Sequence, residues 1–196
     1  MHPRLALTGI NAVAIAQRML DQPIGARGWV VFERILVAVD GSETALHGFA
    51  VAMALALERR AALDVLYVVD ETPVLQWLAN TYAQPELLQR LETGLRAMGK
   101  KILADCETRA ARAGLRIHPI IDEAVGEPVA SVILKTAAGQ HSQLIVLGTH
   151  GRRGLARLTM GSDAESVVRQ SIVPVLLVRH AATSGTEPDT AGASKR

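Results

Sequence analysis

Cysteine occurs once in the 196-residue chain, at Cys106, so an intramolecular disulfide is impossible and a cysteine metal cluster is excluded. That usage fits a reducing compartment and predicts a cytoplasmic protein. Aromatic residues make up 3% of the chain. The core must therefore be built from Val, Leu, Ile and Ala, and no aromatic series is available to stack unpaired bases, which counts against nucleic acid as a partner. No Gly-x4-Gly-Lys-Ser/Thr stretch occurs, which argues against P-loop chemistry. The apolar patch LALTGINAVAIAQRML at residues 5–20 is too short and too interrupted, by Thr8, Gly9, Asn11 and Gln17, to span a bilayer. Its signal-peptide character is weak because Arg18 follows the apolar part, and no membrane partner is expected.

What the chain does have is a high share of hydrophobic residues, 49%, against 20% charged residues, enough for a single globular domain with a sizeable core. The net charge of +2 lies at the front. Residues 1–30 carry Arg4, Arg18 and Arg27 against Asp21, and the rest of the chain balances. These first 30 residues precede the periodic pattern and read as a leader, either flexible or an amphipathic helix. Residues 180–196 shift to Ala, Thr, Ser, Gly and Pro without periodicity and read as a disordered tail.

Between them, residues 31–179 alternate strand and helix patterns. Residues 34–40 form a nearly unbroken apolar run ending at Asp40, as expected of a strand buried on both faces of a parallel sheet. A helical stripe follows at Leu46, Phe49, Ala50, Met53 and Leu57, with His47 beside it and given no role. A strand is expected at residues 63–69, then a connection at 70–82 containing Trp77 and Tyr82. A long helix over 85–113 carries its stripe at Leu91, Leu95, Met98, Ile102 and Cys106, weakened by Gly94 and Gly99. Cys106 reads as packing rather than redox chemistry. A third strand is expected at 115–121, and Pro128 is placed at an early helical position of a helix running to about Ala138. Nine alternating elements imply an α/β fold with a parallel sheet, helices on both faces and right-handed crossovers.

The most informative stretch is residues 142–179. An apolar run at 144–147 ends at Gly148; Gly151 follows, and later Gly161 and Ser162. Ser162 and Glu165 fit a capping box at the start of a helix with Ala164, Val167, Val168 and Ser171 on its apolar side. A glycine loop opening onto a helix N-terminus attracts anions, because the first N–H groups point outward and the dipole favours negative charge. Arg152, Arg153 and Arg157 add positive charge, with no acid between Gly148 and Ser162. Phosphate is the indicated anion, although a plain strand-to-helix connection would also use glycine for turns and arginine for solubility. Asp40, at the end of the first strand and before Gly41-Ser42, is placed to accept hydrogen bonds from a ribose or an adenine amine; an ordinary turn or helix cap is the plainer alternative.

The spacing Gly148-x2-Gly151-x9-Gly161-Ser162 resembles the nucleotide-binding signature of the ATP-binding universal stress proteins. ILVAVDGS at residues 35–42 resembles that family's opening strand and turn, and PVLLVR at 174–179 its closing strand. The resemblance implies an open five-stranded sheet in order 3-2-1-4-5 and a stress-response or signalling module that binds ATP, with magnesium as a possible companion. It places adenosine on Asp40 and on the backbones of Ala38 and Val68. Leu147 and Gly148 would bracket the ribose, and Gly151, Gly161, Ser162 and Asp163 would hold phosphates. Two positions depart from the family pattern: Gln143 stands where Asp is frequent, and Asp163 where an apolar residue is usual. Asp163 suits the helix dipole but would repel phosphate if turned inward.

Two other readings stay open. The same site could serve a weak ATPase or phosphotransferase, with His150 as acid or base and Asp40 or Asp163 on a metal; the favoured reading of His150 is that it simply lines the loop, and no residue is assigned as catalytic. Alternatively the glycines are structural and the helices mediate a protein contact. For assembly, the strand from Pro174 to Arg179 is apolar on both alternations, and the family strand order makes it an edge. The expectation is a homodimer that covers it.

Overall fold

In the computed structural model, residues 32–70, 85–149 and 160–179 are described. The leader (1–30), the tail (180–196), Trp77, Tyr82, His150, Gly151, Arg152, Arg153 and Arg157 lie outside them. The elements run in chain order as β1 (Arg34–Ala38), α1 (Glu43–Arg59), β2 (Ala62–Asp70), α2 (Pro85–Arg112), β3 (Ile117–Ala124), α3 (Val129–Gly139), β4 (Leu144–Gly148), α4 (Ser162–Gln170) and β5 (Val175–Val178). The five strands form one sheet in the order β3-β2-β1-β4-β5, and every pairing is parallel. The α/β architecture and the strand order 3-2-1-4-5 thus agree with expectation.

The strands β1, β2 and β4 form where they do because both of their faces are covered. Ile35, Val37, Leu63, Val65, Tyr67 and Val146 pack with Phe49, Ala52 and Ala56 of α1 and Leu103, Cys106 and Ala110 of α2. Leu36, Leu66, Ile145 and Leu147 pack on the opposite face with Ala130, Ile133 and Ala137 of α3 and Ala164 and Val167 of α4. A strand between two helical layers must be apolar at every position, which is why β1 and β4 read as continuous runs. Phe49 alone, fully enclosed, contributes roughly 2–3 kcal/mol of burial.

The helices lie close to the sheet where glycine removes a side chain. A methyl placed on Gly99 of α2 would fall 2.5 Å from Cδ1 of the buried Tyr67 ring. Gly99 therefore gives up helix propensity for close approach to β2, a role that its sequence context did not reveal. The face of α2 turned to the sheet carries Gly99, Leu103, Cys106 and Ala110, whereas Met98, expected on the stripe, is exposed. Cys106 is fully enclosed, and loss of hydration pushes its thiol up to about 11 despite the opposing charge of Arg109.

Four boundaries differ from expectation. Ser162 is the first residue of α4 rather than its cap: the cap is Gly161, and no side chain caps the helix. Glu165 instead pairs with Arg169 one turn on, at 2.8 Å, so the capping box does not form. Val168 is exposed, because only Ala164 and Val167 of α4 reach the sheet, and Ser171 forms the C-cap. Strand β3 runs to Ala124 because its pairing with β2 continues through Asp122, Glu123 and Ala124. Pro128 is the N-cap of α3, one residue before the helix.

A polar cluster holds the amino ends of the strands. Asp64 of β2 is completely buried, and its carboxylate accepts from Nη1 of Arg34 on β1 at 3.2 Å and lies 3.0 Å from Nδ1 of His118 on β3. Gln143, just before β4, donates its N–H to the Arg34 carbonyl, while its side-chain oxygen accepts the N–H of Glu33 at 2.6 Å. The residue in the family's usual Asp position thus ties the start of β4 to the start of β1.

Candidate functional site

The connections fix where the sheet's polarity changes direction. From β1 the chain steps outward to β2 and β3, then returns across the sheet to β4 on the other side of β1 and onward to β5. The crevice at the carboxyl ends of β1 and β4, where the connections diverge, is where open parallel sheets bind ligands. Of the proposed site residues that are described, all lie along this carboxyl edge.

At the end of β1, the N–H of Val39 donates to the Leu66 carbonyl at 2.8 Å, extending the ladder by one residue. The chain then turns. Oδ1 of Asp40 accepts the N–H of Ser42 at 2.9 Å, Gly41 adopts φ +86°, and Oγ of Ser42 caps α1 by accepting the N–H of Ala45 at 3.2 Å. Only glycine takes that φ without strain. Asp40 therefore shapes the turn that starts α1, which is the plain role weighed for it, and its carboxylate remains half-buried at the switch point.

Next to it, β1, β2 and β4 supply apolar surface. Ala38 and Val68 are half-buried and pack on the α3/α4 side of the sheet. The side chain of Leu147 is buried in that same layer, so what it turns toward the crevice is backbone. Gly148 answers to a different neighbour than a ligand: a methyl there would lie 3.0 Å from the Ala45 nitrogen and from the Thr44 carbonyl carbon. Its missing side chain lets the start of α1 rest on the end of β4, and the approach is reciprocal: a methyl placed on Gly48 of α1 would lie 3.5 Å from the Gly148 nitrogen.

The connection from β4 to α4 is fastened at both ends. Thr149, buried, donates its N–H to the Val178 carbonyl of β5, and its own carbonyl accepts the N–H of Gly161, both at 2.9 Å. Gly161, Ser162 and Asp163 are thereby placed beside the ends of β4 and β5. The first turn of α4 carries Asp163 and Glu165, complementing its dipole, and opens without a side-chain cap. Its leading N–H groups have no acceptor within the helix. Thr149 went unnoticed in the sequence; a single polar residue directly after a buried apolar run was the available signal. Among the described residues, no group of three or more His, Cys, Asp or Glu could hold a metal ion, and no helix is long and apolar enough to cross a membrane.

Residues 32–179 match the sequence model of the Universal stress protein family. The chain belongs to the universal stress protein family. Universal stress protein YxiE of Bacillus subtilis is 33% identical over 151 residues, which is 76% of this chain and 100% of that protein. Among solved structures, the universal stress protein UspA of Lactobacillus plantarum superposes with a TM-score of 0.66 at 26% identity, covering 77% of this chain and 100% of that one. A universal stress protein solved in complex with cAMP shares the fold at a TM-score of 0.55 and 22% identity, over 78% of this chain and 100% of that chain. The matched segment takes in every element from β1 to β5.

Proposed function

We propose that the carboxyl edge between β1 and β4 binds an adenine nucleotide, ATP, and that the protein is a nucleotide-dependent stress-response or signalling regulator. The observation that carries this reading is the coincidence of the switch point with an acidic turn and an uncapped helix start: Asp40 stands at the end of β1, and Gly161 opens α4 beside the end of β4. In this reading Asp40 accepts from the ribose or the adenine amine. The ledge of Ala38 and Val68 takes the base, and the backbone of Leu147 and Gly148 flanks the ribose. Gly151, Gly161, Ser162 and Asp163 approach the phosphates. The donor set fits, since a helix start that lacks a capping side chain offers N–H groups to phosphate oxygens. Magnesium, when present, requires only one or two carboxylates in addition to the phosphates, and Asp40 and Asp163 are the candidates. The family relative that holds cAMP supports an adenine ligand.

Calorimetry with ATP tests the site. Gly161→Val fills the space that phosphate oxygens need, and the expected loss of affinity is about tenfold or more, equivalent to roughly 1.4 kcal/mol. Equal affinities in two folded proteins would remove Gly161 from the site.

The same reading includes a homodimer through β5. This strand is a sheet edge, with Val175, Leu176 and Leu177 half-buried and Ile172 exposed just before it. Two copies paired antiparallel about a two-fold axis would close that edge. Sedimentation is expected to show a wild-type dimer at micromolar concentration and a Leu176→Lys monomer; a monomeric wild type defeats the dimer.

A further inference from the structure

The Asp40 turn is braced from outside its own segment. A methyl built on Gly41 would lie 2.8 Å from Cδ1 and 3.4 Å from Cγ1 of Ile102, so the tip of the Ile102 side chain on α2 occupies the space that any other residue's Cβ would take. Gly41 has φ +86°, and the turn around it includes the bond from Ser42 N–H to Asp40 Oδ1. Ile102 itself packs with the core layer formed by α1, α2 and the sheet. Its backbone belongs to a helix anchored by Leu103, Cys106 and Ala110, all buried.

We infer that Ile102 is a positioning residue for the proposed nucleotide site: by filling the space against Gly41 it holds the left-handed turn that aims the Asp40 carboxylate. This rests on the nucleotide reading above for its ligand, but not for its geometry. The glycine lets the turn adopt its φ, and the same lack of a side chain would leave the turn loose unless something filled the gap. A pre-formed turn spares the ligand the cost of ordering it. The link also runs the other way. A ligand that engages Asp40 presses the turn onto α2, so nucleotide binding and the docking of α2 reinforce each other by linkage.

The experiment reads the turn and the ligand separately. Ile102→Val removes only Cδ1, the atom nearest Gly41, and Ile102→Leu restores reach by a different branch. Leu95→Ala, on the same helix and packed in the same layer, is the control for general loss of packing. Native-state hydrogen exchange is followed at the Ser42 amide relative to the amides of β1, and ATP affinity is measured on the same full-length proteins. Expected for Ile102→Val is exchange at Ser42 faster by about tenfold relative to β1, with ATP affinity lower by about three- to fivefold. Ile102→Leu recovers both, and Leu95→Ala moves neither. Unchanged relative exchange at Ser42 in Ile102→Val overturns the brace. Faster exchange with unchanged ATP affinity overturns its bearing on the ligand. Faster exchange in a protein whose wild type binds no ATP upholds the brace and overturns the nucleotide reading instead.

Discussion

The two ends of the sheet are held by opposite means. At the amino ends, charged and amide side chains answer one another: Arg34 and His118 converge on the buried Asp64, and Gln143 clasps Glu33. At the carboxyl ends the fastening is mostly backbone and glycine, through the turn at Gly41, the contact of Gly148 with α1, and the hydrogen bonds of Thr149 and Gly161. A network of side chains that satisfy each other has little to offer a ligand. An edge held mostly by backbone keeps the N–H groups of its helix start available for recognition without loosening the sheet. Substitutions at the amino edge should therefore act on stability, and those at the carboxyl edge on binding.

The most direct way to break that division is Arg34→Met. It removes the main partner of a carboxylate with no solvent exposure while leaving the carboxyl edge untouched. Because Arg34 is itself 38% exposed and His118 remains, the expected loss is about 2–3 kcal/mol in urea unfolding rather than the full cost of an orphaned buried charge. ATP affinity of the folded protein should be unchanged, and a parallel fall in affinity would show that the two edges are coupled.

A second probe lies between the edges. The Cys106 thiol is held up to about 11 in the folded protein against an ordinary value of 9.0, so the folded state binds its proton more tightly than the unfolded chain. The sign follows: the contribution is fully present below pH 9 and is lost as pH rises through 11. The loss is on the order of 2 kcal/mol. Stability of the wild type minus that of Cys106→Ala, followed from pH 8 to 11, isolates it, and a flat difference would mean that the thiol is not enclosed as described.

The smallest expected effect sharpens the comparison from the other side. Asp40→Ala should cost about 1 kcal/mol of stability, since it removes the turn hydrogen bond from the Ser42 N–H. It should weaken ATP binding by about tenfold, roughly 1.4 kcal/mol. Calorimetry beside urea unfolding decides it, and a stability loss without a binding loss would make Asp40 a turn residue alone.

The sheet was legible in the sequence because a parallel strand covered on both faces has no polar alternation to confuse it with anything else, as β1 and β4 show. Its edge strand was less so. In β3, Asp122 and Glu123 continue the pairing because one side of that strand needs no cover, and composition gives no sign that the ladder persists. Asp64 was invisible for another reason: its partners stand 30 and 54 positions away, and only the register of three strands brings them together. The site was legible to the extent that its residues cluster in motifs. Asp40, Gly148, Gly161 and Ser162 were singled out from such motifs, but what Gly148 and Gly99 do for packing depends on Thr44, Ala45 and Tyr67, which no local pattern announces. The cap of α4 was placed one residue late because Ser162 and Glu165 have capping-box spacing, whereas Gly161 takes the cap position and Glu165 pairs with Arg169.

The hydrogen bond from Gly161 N–H to the Thr149 carbonyl has a meaning for how such a domain can vary. It acts as a clasp at the neck of the intervening segment, so α4 starts from the same place whatever length of chain is threaded between the two residues. The end of β4 and the start of α4 are thus tied to each other by backbone atoms alone, independently of the hydrogen bond that shapes the Asp40 turn.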